Sequence, residues 1–171
     1  MQRFGLQTDF ANNPSINQLV RRASALPLVR LNDIDDVWLN ALEDADLNNP
    51  AVLQFTDYVT EVWVDSAGRS TWNHFNSTGP RTNNHVEGWH GRMNKVGHPH
   101  PNLFYFIDIL KKEQCHTEIV IRQLLQGGKQ PPKKKKYRNI DYQLRTEKDL
   151  LLAGSKTPVQ YADAVSYLVG L

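Results

Sequence analysis

The segment Arg81-Thr82-Asn83-Asn84-His85-Val86-Glu87-Gly88-Trp89-His90 concentrates the groups of this 171-residue chain that could do chemistry. One carboxylate, Glu87, stands among amide and imidazole side chains with few other charges beside it. A glutamate so placed suits a hard divalent cation, which prefers carboxylate oxygen, or a proton-transfer step. If Thr82 or Asn83 caps a helix, then Asn83, Glu87, His90 and Asn94 follow one another at spacings of four, three and four on one face. Val86, Trp89, Met93 and Val96 make an apolar stripe on the other, which reads as core. Gly88 and Gly91 cost such a helix about 1 kcal/mol each relative to alanine. Close approach by another backbone or a large ligand would give them a purpose. The same residues also have a purely structural reading: Glu87 interacts with the positive helix end and His90 covers a core. Spacing alone leaves both readings open.

The elements that must position this motif are helices. Asn13-Pro14, Asn49-Pro50, His100-Pro101 and Thr157-Pro158 each place proline where a helix would begin, three of them after a good capping residue. Ile16, Leu19, Val20 and Ala23 then keep helical spacing, as do Ile34, Val37, Trp38 and Ala41 behind a cap at Asn32 or Asp33. Val52, Phe55, Val59 and Val62 mark a third helix. A long pattern runs from Pro101 to the Gly127-Gly128 stop, and two more helices are predicted over roughly 137–153 and 158–168. No segment alternates for long; Thr60–Asp65, the one strand candidate, reads as the end of the third helix. The prediction is an all-α chain in three parts: 1–80, 81–128 and 129–171.

Composition narrows the function classes. An apolar share of 40% and a charged share of 22% are ordinary for a globular protein, and no run approaches eighteen apolar residues. No secretory signal follows Met1-Gln2-Arg3-Phe4. Cys115 is the single cysteine, so an internal disulfide is impossible and a reducing compartment is expected; at mid-helix it reads as a small buried hydrophobe. The net charge of +2 hides an asymmetry. Residues 1–65 carry ten acids against four arginines, a balance of −6, and residues 66–171 carry sixteen bases against eight acids, a balance of +8. The C-terminal two thirds could face a polyanion; the other reading is that charge only keeps the protein in solution.

Beyond composition, the residues carry a resemblance. Arg81-Thr82-Asn83-Asn84-x-x-Glu87-x-x-His90 resembles the C-terminal catalytic motif of Mutator-like element (MULE) transposases, of the kind often found with FLYWCH zinc fingers. Tyr58 to Trp63 and Trp72-Asn73 resemble the pieces before the motif. Gly97-His98-Pro99-His100-Pro101-Asn102, Lys112-Glu113-Gln114, Gly127-Gly128 and Pro131-Pro132-Lys133-Lys134-Lys135-Lys136-Tyr137-Arg138 resemble the pieces after it. The similarity spans roughly residues 4–145.

The resemblance implies a DDE transposase on an RNase H-like fold, in which three carboxylates hold two magnesium (or manganese) ions for phosphodiester attack on DNA. Glu87 matches the third acid. Arg81, Asn83, Asn84, His90 and Asn94 would then support it or contact DNA. The first two acids should lie upstream of residue 1, with the sheet that carries them. Asp9, Asp33 and Asp36 offer no replacement, because Asp33, Asp35 and Asp36 read as helix-start acids and Asp9 as a loop acid. This chain would thus comprise a helical insertion region and C-terminal helices, with the sheet missing, and would hold no metal alone. Partners implied are transposon-end DNA and the rest of the transposase or another subunit, in the nucleus, with no membrane and no small-molecule substrate. A host-retained or remnant DNA-binding or protein-interaction domain is the alternative, and a helical scaffold with no nucleic-acid role a third.

Lys133, Lys134, Lys135, Lys136 and Arg138 form a proline-led basic run that fits a nuclear localisation signal, a phosphate contact or a solvated linker. His74, His85, His90, His98 and His100 invite a zinc reading, but no paired cysteine accompanies them. Trp63, Trp72 and Trp89 read as core rather than as base-stacking platforms. An apolar face is expected to remain exposed on the 82–96 helix or its neighbours, for want of the sheet they would pack against.

Overall fold

The computed structural model describes residues 2–77, 84–97, 100–129 and 132–169. Among them every regular element is helical and no strand occurs, so the fold class is all-α. Nine α-helices are present in these residues: α1 (Gln7–Asn12), α2 (Pro14–Ala25), α3 (Ile34–Glu43), α4 (Pro50–Val59), α5 (Arg69–Trp72), α6 (Asn84–Val96), α7 (Leu103–Leu125), α8 (Lys135–Leu152) and α9 (Pro158–Ser166). They fall into two compact units, Met1–Thr78 with Lys135–Leu171, and Gly79–Lys134.

Local chemistry sets most boundaries. The Asn13 side chain accepts hydrogen bonds from the Ser15 and Ile16 amides at 3.0 and 3.4 Å, and Asn49 accepts from Ala51 at 2.9 Å. Thr157 and Gln160 cap each other reciprocally at 3.2 and 3.0 Å. Two expectations are corrected. Asp33 stands at the start of α3 but caps nothing: its carboxylate is taken by Arg30, whose Nε and Nη2 each donate at 2.8 Å. A charge-assisted fork outcompetes a single amide donor. The long helix starts behind Asn102, which accepts from the Tyr105 amide at 2.9 Å, and not at Pro101. Thr60–Val64, the strand candidate, is a π turn continuing α4, closed by the Asp65 amide donating to the Thr60 carbonyl at 2.8 Å.

The first unit has a packed core. Leu19, Val20, Ile34, Val37, Trp38, Val52, Phe55 and Val59 bring the apolar faces of α2, α3 and α4 together, and Ala162 of α9 joins them. Trp38 is 2% exposed, and its indole N–H donates to Thr60 Oγ1 at 2.9 Å, so this large ring is buried without an orphan donor. Thr60 Oγ1 in turn donates to the Thr56 carbonyl at 2.8 Å. A smaller cluster of Ala25, Phe75, Leu151, Tyr161 and Val165 ties α8 and α9 to α2, with the Tyr161 hydroxyl donating to the Leu28 carbonyl at 2.9 Å. At the edge, Arg69 reaches both oxygens of Asp35 at 2.7 and 2.8 Å and also donates through Nε to the Val64 carbonyl. The guanidinium's hydrogen bonds hold the Asp35 carboxyl below its ordinary range.

Within the buried region sits Arg22, 5% exposed. It donates through Nε and Nη2 to Asp163 of α9 at 2.7 and 3.1 Å and through Nη1 to Asp44, just past α3, at 2.7 Å. These two partners raise its pKa above the ordinary arginine value, the Asp163 hydrogen bond most of all. Arg22→Ala removes both the ion pairs and the packing of the side-chain stem and is expected to lower unfolding free energy by about 2–3 kcal/mol. Arg22→Met keeps the stem and frees two acids that already reach solvent, so it should cost only about 1 kcal/mol. Denaturant unfolding of the two variants checks the order; equal losses would remove the packing component.

Candidate functional site

Glu87 lies in the first turn of α6, where the positive end of the helix favours a carboxylate. It is exposed, as are Asn84, His90 and Asn94, and the three- and four-residue spacings set Glu87, His90 and Asn94 along one side. Arg81, Thr82 and Asn83 lie outside the described residues, as do His98 and Pro99. Among the described residues no hydrogen bond or ion pair reaches the Glu87 carboxylate. Nor, in those residues, do three or more His, Cys, Asp or Glu side chains gather so as to hold a metal ion.

What fixes α6 is a polar clamp that sequence spacing gives no hint of. Glu113, ten residues into α7, accepts from the Trp89 indole N–H at 3.0 Å and from the Arg92 guanidinium through the same oxygen. The Tyr105 hydroxyl meets the Val96 carbonyl at 3.4 Å. The Trp89 and His90 rings lie 5.2 Å apart, so the clamp on Trp89 also steadies His90. Around the junction, Met93, Asn94, Gly97, His100, Pro101 and Ile109 line most of a cleft of about 400 Å³. His100 adopts a left-handed backbone (φ 55°) immediately before Pro101, and this redirects the chain into α7.

The apolar stripe of α6 is not core. Val86, Trp89 and Val96 are 41, 38 and 57% exposed, and Met93 is half-buried. Ile109 is the one buried side chain among the described residues of α6 and α7. The spacing read this stripe as core, while the sheet implied by the resemblance, being absent, led to an open apolar face on this helix or its neighbours; the open face is what is present. Two other readings are corrected. Trp63 is 40% exposed and Trp72 only half-buried; the two pack edge to face at 5.9 Å against a shallow apolar cleft of about 330 Å³ that Phe55 and Tyr58 also line. Cys115 is exposed and not the small buried hydrophobe that its mid-helix place suggested.

The basic run divides between structures. Lys133 and Lys134 are exposed in the chain leading to α8, while Lys135, Lys136 and Arg138 occupy the first turn of α8 and are exposed too. Cations there oppose the helix dipole, an arrangement that a bound anion relieves. Folding also redistributes charge relative to the linear halves. The unit built from 1–78 and 135–171 holds eleven basic and fourteen acidic residues, a balance of −3; the 79–134 unit holds nine and four, a balance of +5.

No family model matches this chain, and comparisons with curated proteins and with solved structures likewise yield no match. No helix of the described residues is long and apolar enough to cross a membrane.

The two glycines of α6 gain no explanation from the described residues. A Cβ added at Gly88 or Gly91 would meet nothing within 4 Å. Gly88→Ala and Gly91→Ala are thus each expected to stabilise α6 by up to about 1 kcal/mol. Slower amide hydrogen exchange across residues 84–96 checks this, and unchanged or faster exchange would show that the glycines serve the helix itself.

Proposed function

We propose that this chain is the C-terminal part of a MULE-type transposase, whose intact form performs metal-dependent DNA cleavage and strand transfer. The observation that carries the reading is the presentation of Glu87, His90 and Asn94 on one exposed side of a helix whose apolar side lies open. That is what a catalytic helix looks like when the sheet it docks on belongs to another part of the molecule. The sequence motif supplies the rest, with Glu87 as the third acid. On this reading the chain alone neither cuts nor joins DNA, since one carboxylate cannot hold a pair of divalent ions. The other two acids of the triad then come from a part of the transposase outside these 171 residues. In a complete protein Glu87→Gln should bring strand transfer to background with DNA affinity little changed, measured by a strand-transfer assay beside a binding titration. Retained transfer would remove Glu87 from the metal site.

A second reading is favoured by the basic residues: a non-catalytic, host-retained or remnant domain of the nucleus that binds DNA or another protein. Its support is the +5 balance of the 79–134 unit and the cations stacked against the dipole of α8. Neutralising Lys133, Lys134, Lys135 and Lys136 to glutamine should lower the salt dependence of DNA affinity by about 0.9 in log–log slope for each lysine that contacts phosphate. An absence of DNA binding by the unmodified chain at low salt would end this reading.

A further inference from the structure

We infer that the α6–α7 unit pairs with a second copy of itself through an antiparallel contact between the two α7 helices. α7 runs for 23 residues, about 34 Å at the usual rise. Leu103, Phe106, Ile107, Leu110, Ile121 and Leu125 form an apolar stripe along it, and all six are exposed, Leu103 and Leu125 to 67 and 82%. With a single buried residue, Ile109, this hairpin has no core of its own among the described residues. Two helices of this length gain one when a second pair closes over them, as in a four-helix bundle. A contiguous apolar surface of this kind marks a protein-contact face.

The charges choose the occupant and its direction. Lys112 pairs with Asp108 at 2.7 Å within the helix, and Glu113 is taken by Arg92 and Trp89. Lys111 and Glu118 make no ion pair among the described residues; Glu118 accepts only a hydrogen bond, from Gln114 at 3.0 Å. They stand seven residues apart, so both lie on the same edge of the stripe, away from Glu113. A two-fold axis crossing α7 between Gln114 and Cys115 sets Lys111 beside Glu118 of the second copy, and Glu118 beside its Lys111. The same operation lays the apolar block 103–110 on the block 119–125 of the other copy. Polar Gln114 then meets its counterpart near the axis, the kind of central polar contact that fixes register. Parallel pairing would carry Lys111 and Glu118 of the second copy to the opposite edge of the contact, where they make no ion pair with the first. The pairing stands independently of any transposase ancestry.

Light scattering coupled to size exclusion, on the full chain over a wide concentration range, is expected to show a dimer. Lys111→Glu alone, and Glu118→Lys alone, should each weaken it about tenfold, because the two-fold repeats every like-charge contact. The double variant K111E/E118K should restore it. Circular dichroism shows that the helices persist, since both positions are exposed. A monomer at every concentration would overturn the proposal and leave the face to another partner. A dimer insensitive to K111E, or one that E118K does not rescue, would overturn it equally by placing the contact elsewhere.

Discussion

The Arg22 ion cluster is the constraint on which the chain's organisation depends. A guanidinium this deeply placed cannot be left without anions, because desolvating it unpaired costs several kcal/mol. Its two anions come from opposite parts of the sequence, Asp44 next to α3 and Asp163 in α9. Satisfying both requires the C-terminal helix to return to the N-terminal bundle. Ala162 then enters the main core beside the ion cluster, and Tyr161 and Val165 extend the contact to Phe75 and Leu151. The consequence is a discontinuous unit, with residues 79–134 inserted in the chain between its two parts.

The two units are held by different physics. In the first, large apolar side chains close over one another, and the polar groups that go inside bring their partners: Trp38 with Thr60, Tyr161 with the Leu28 carbonyl, Arg22 with its acids. In the second, a single glutamate does most of the positioning. Glu113 anchors Trp89 and Arg92 at once, and little apolar surface is removed from water around it. A polar clamp of this sort fixes orientation without supplying much stability. A helix held so can present Glu87 and His90 in a defined direction and still leave its apolar side for a partner.

Much of the fold was legible because its signals are local. Asn13, Asn49 and Thr157 announce helix starts through cap chemistry that needs no tertiary partner. The spacing of Ile34, Val37, Trp38 and Ala41 placed four buried residues correctly, since a helix buries one stripe. Errors fell where a distant or stronger partner intervened. Asp33 abandons the cap for Arg30, and Trp63 and Trp89, apolar by type, find no core to enter. The candidate site was legible as a row, Glu87, His90 and Asn94, and not as an environment: Glu113 stands 24 residues from Trp89, and no periodicity joins them.

By itself, then, the sequence determined the helical class, the helix starts and the alignment of Glu87 with His90 and Asn94. These follow from backbone geometry and near-neighbour hydrogen bonds, which act within a few residues. Only the tertiary structure decided that the acidic N-terminal and mixed C-terminal segments share one core, leaving the +5 balance to the inserted hairpin. It also decided which stripes stay in water. Burial is a property of what lies opposite, and a stripe such as Val86, Trp89, Met93 and Val96 has the same spacing whether a partner covers it or not.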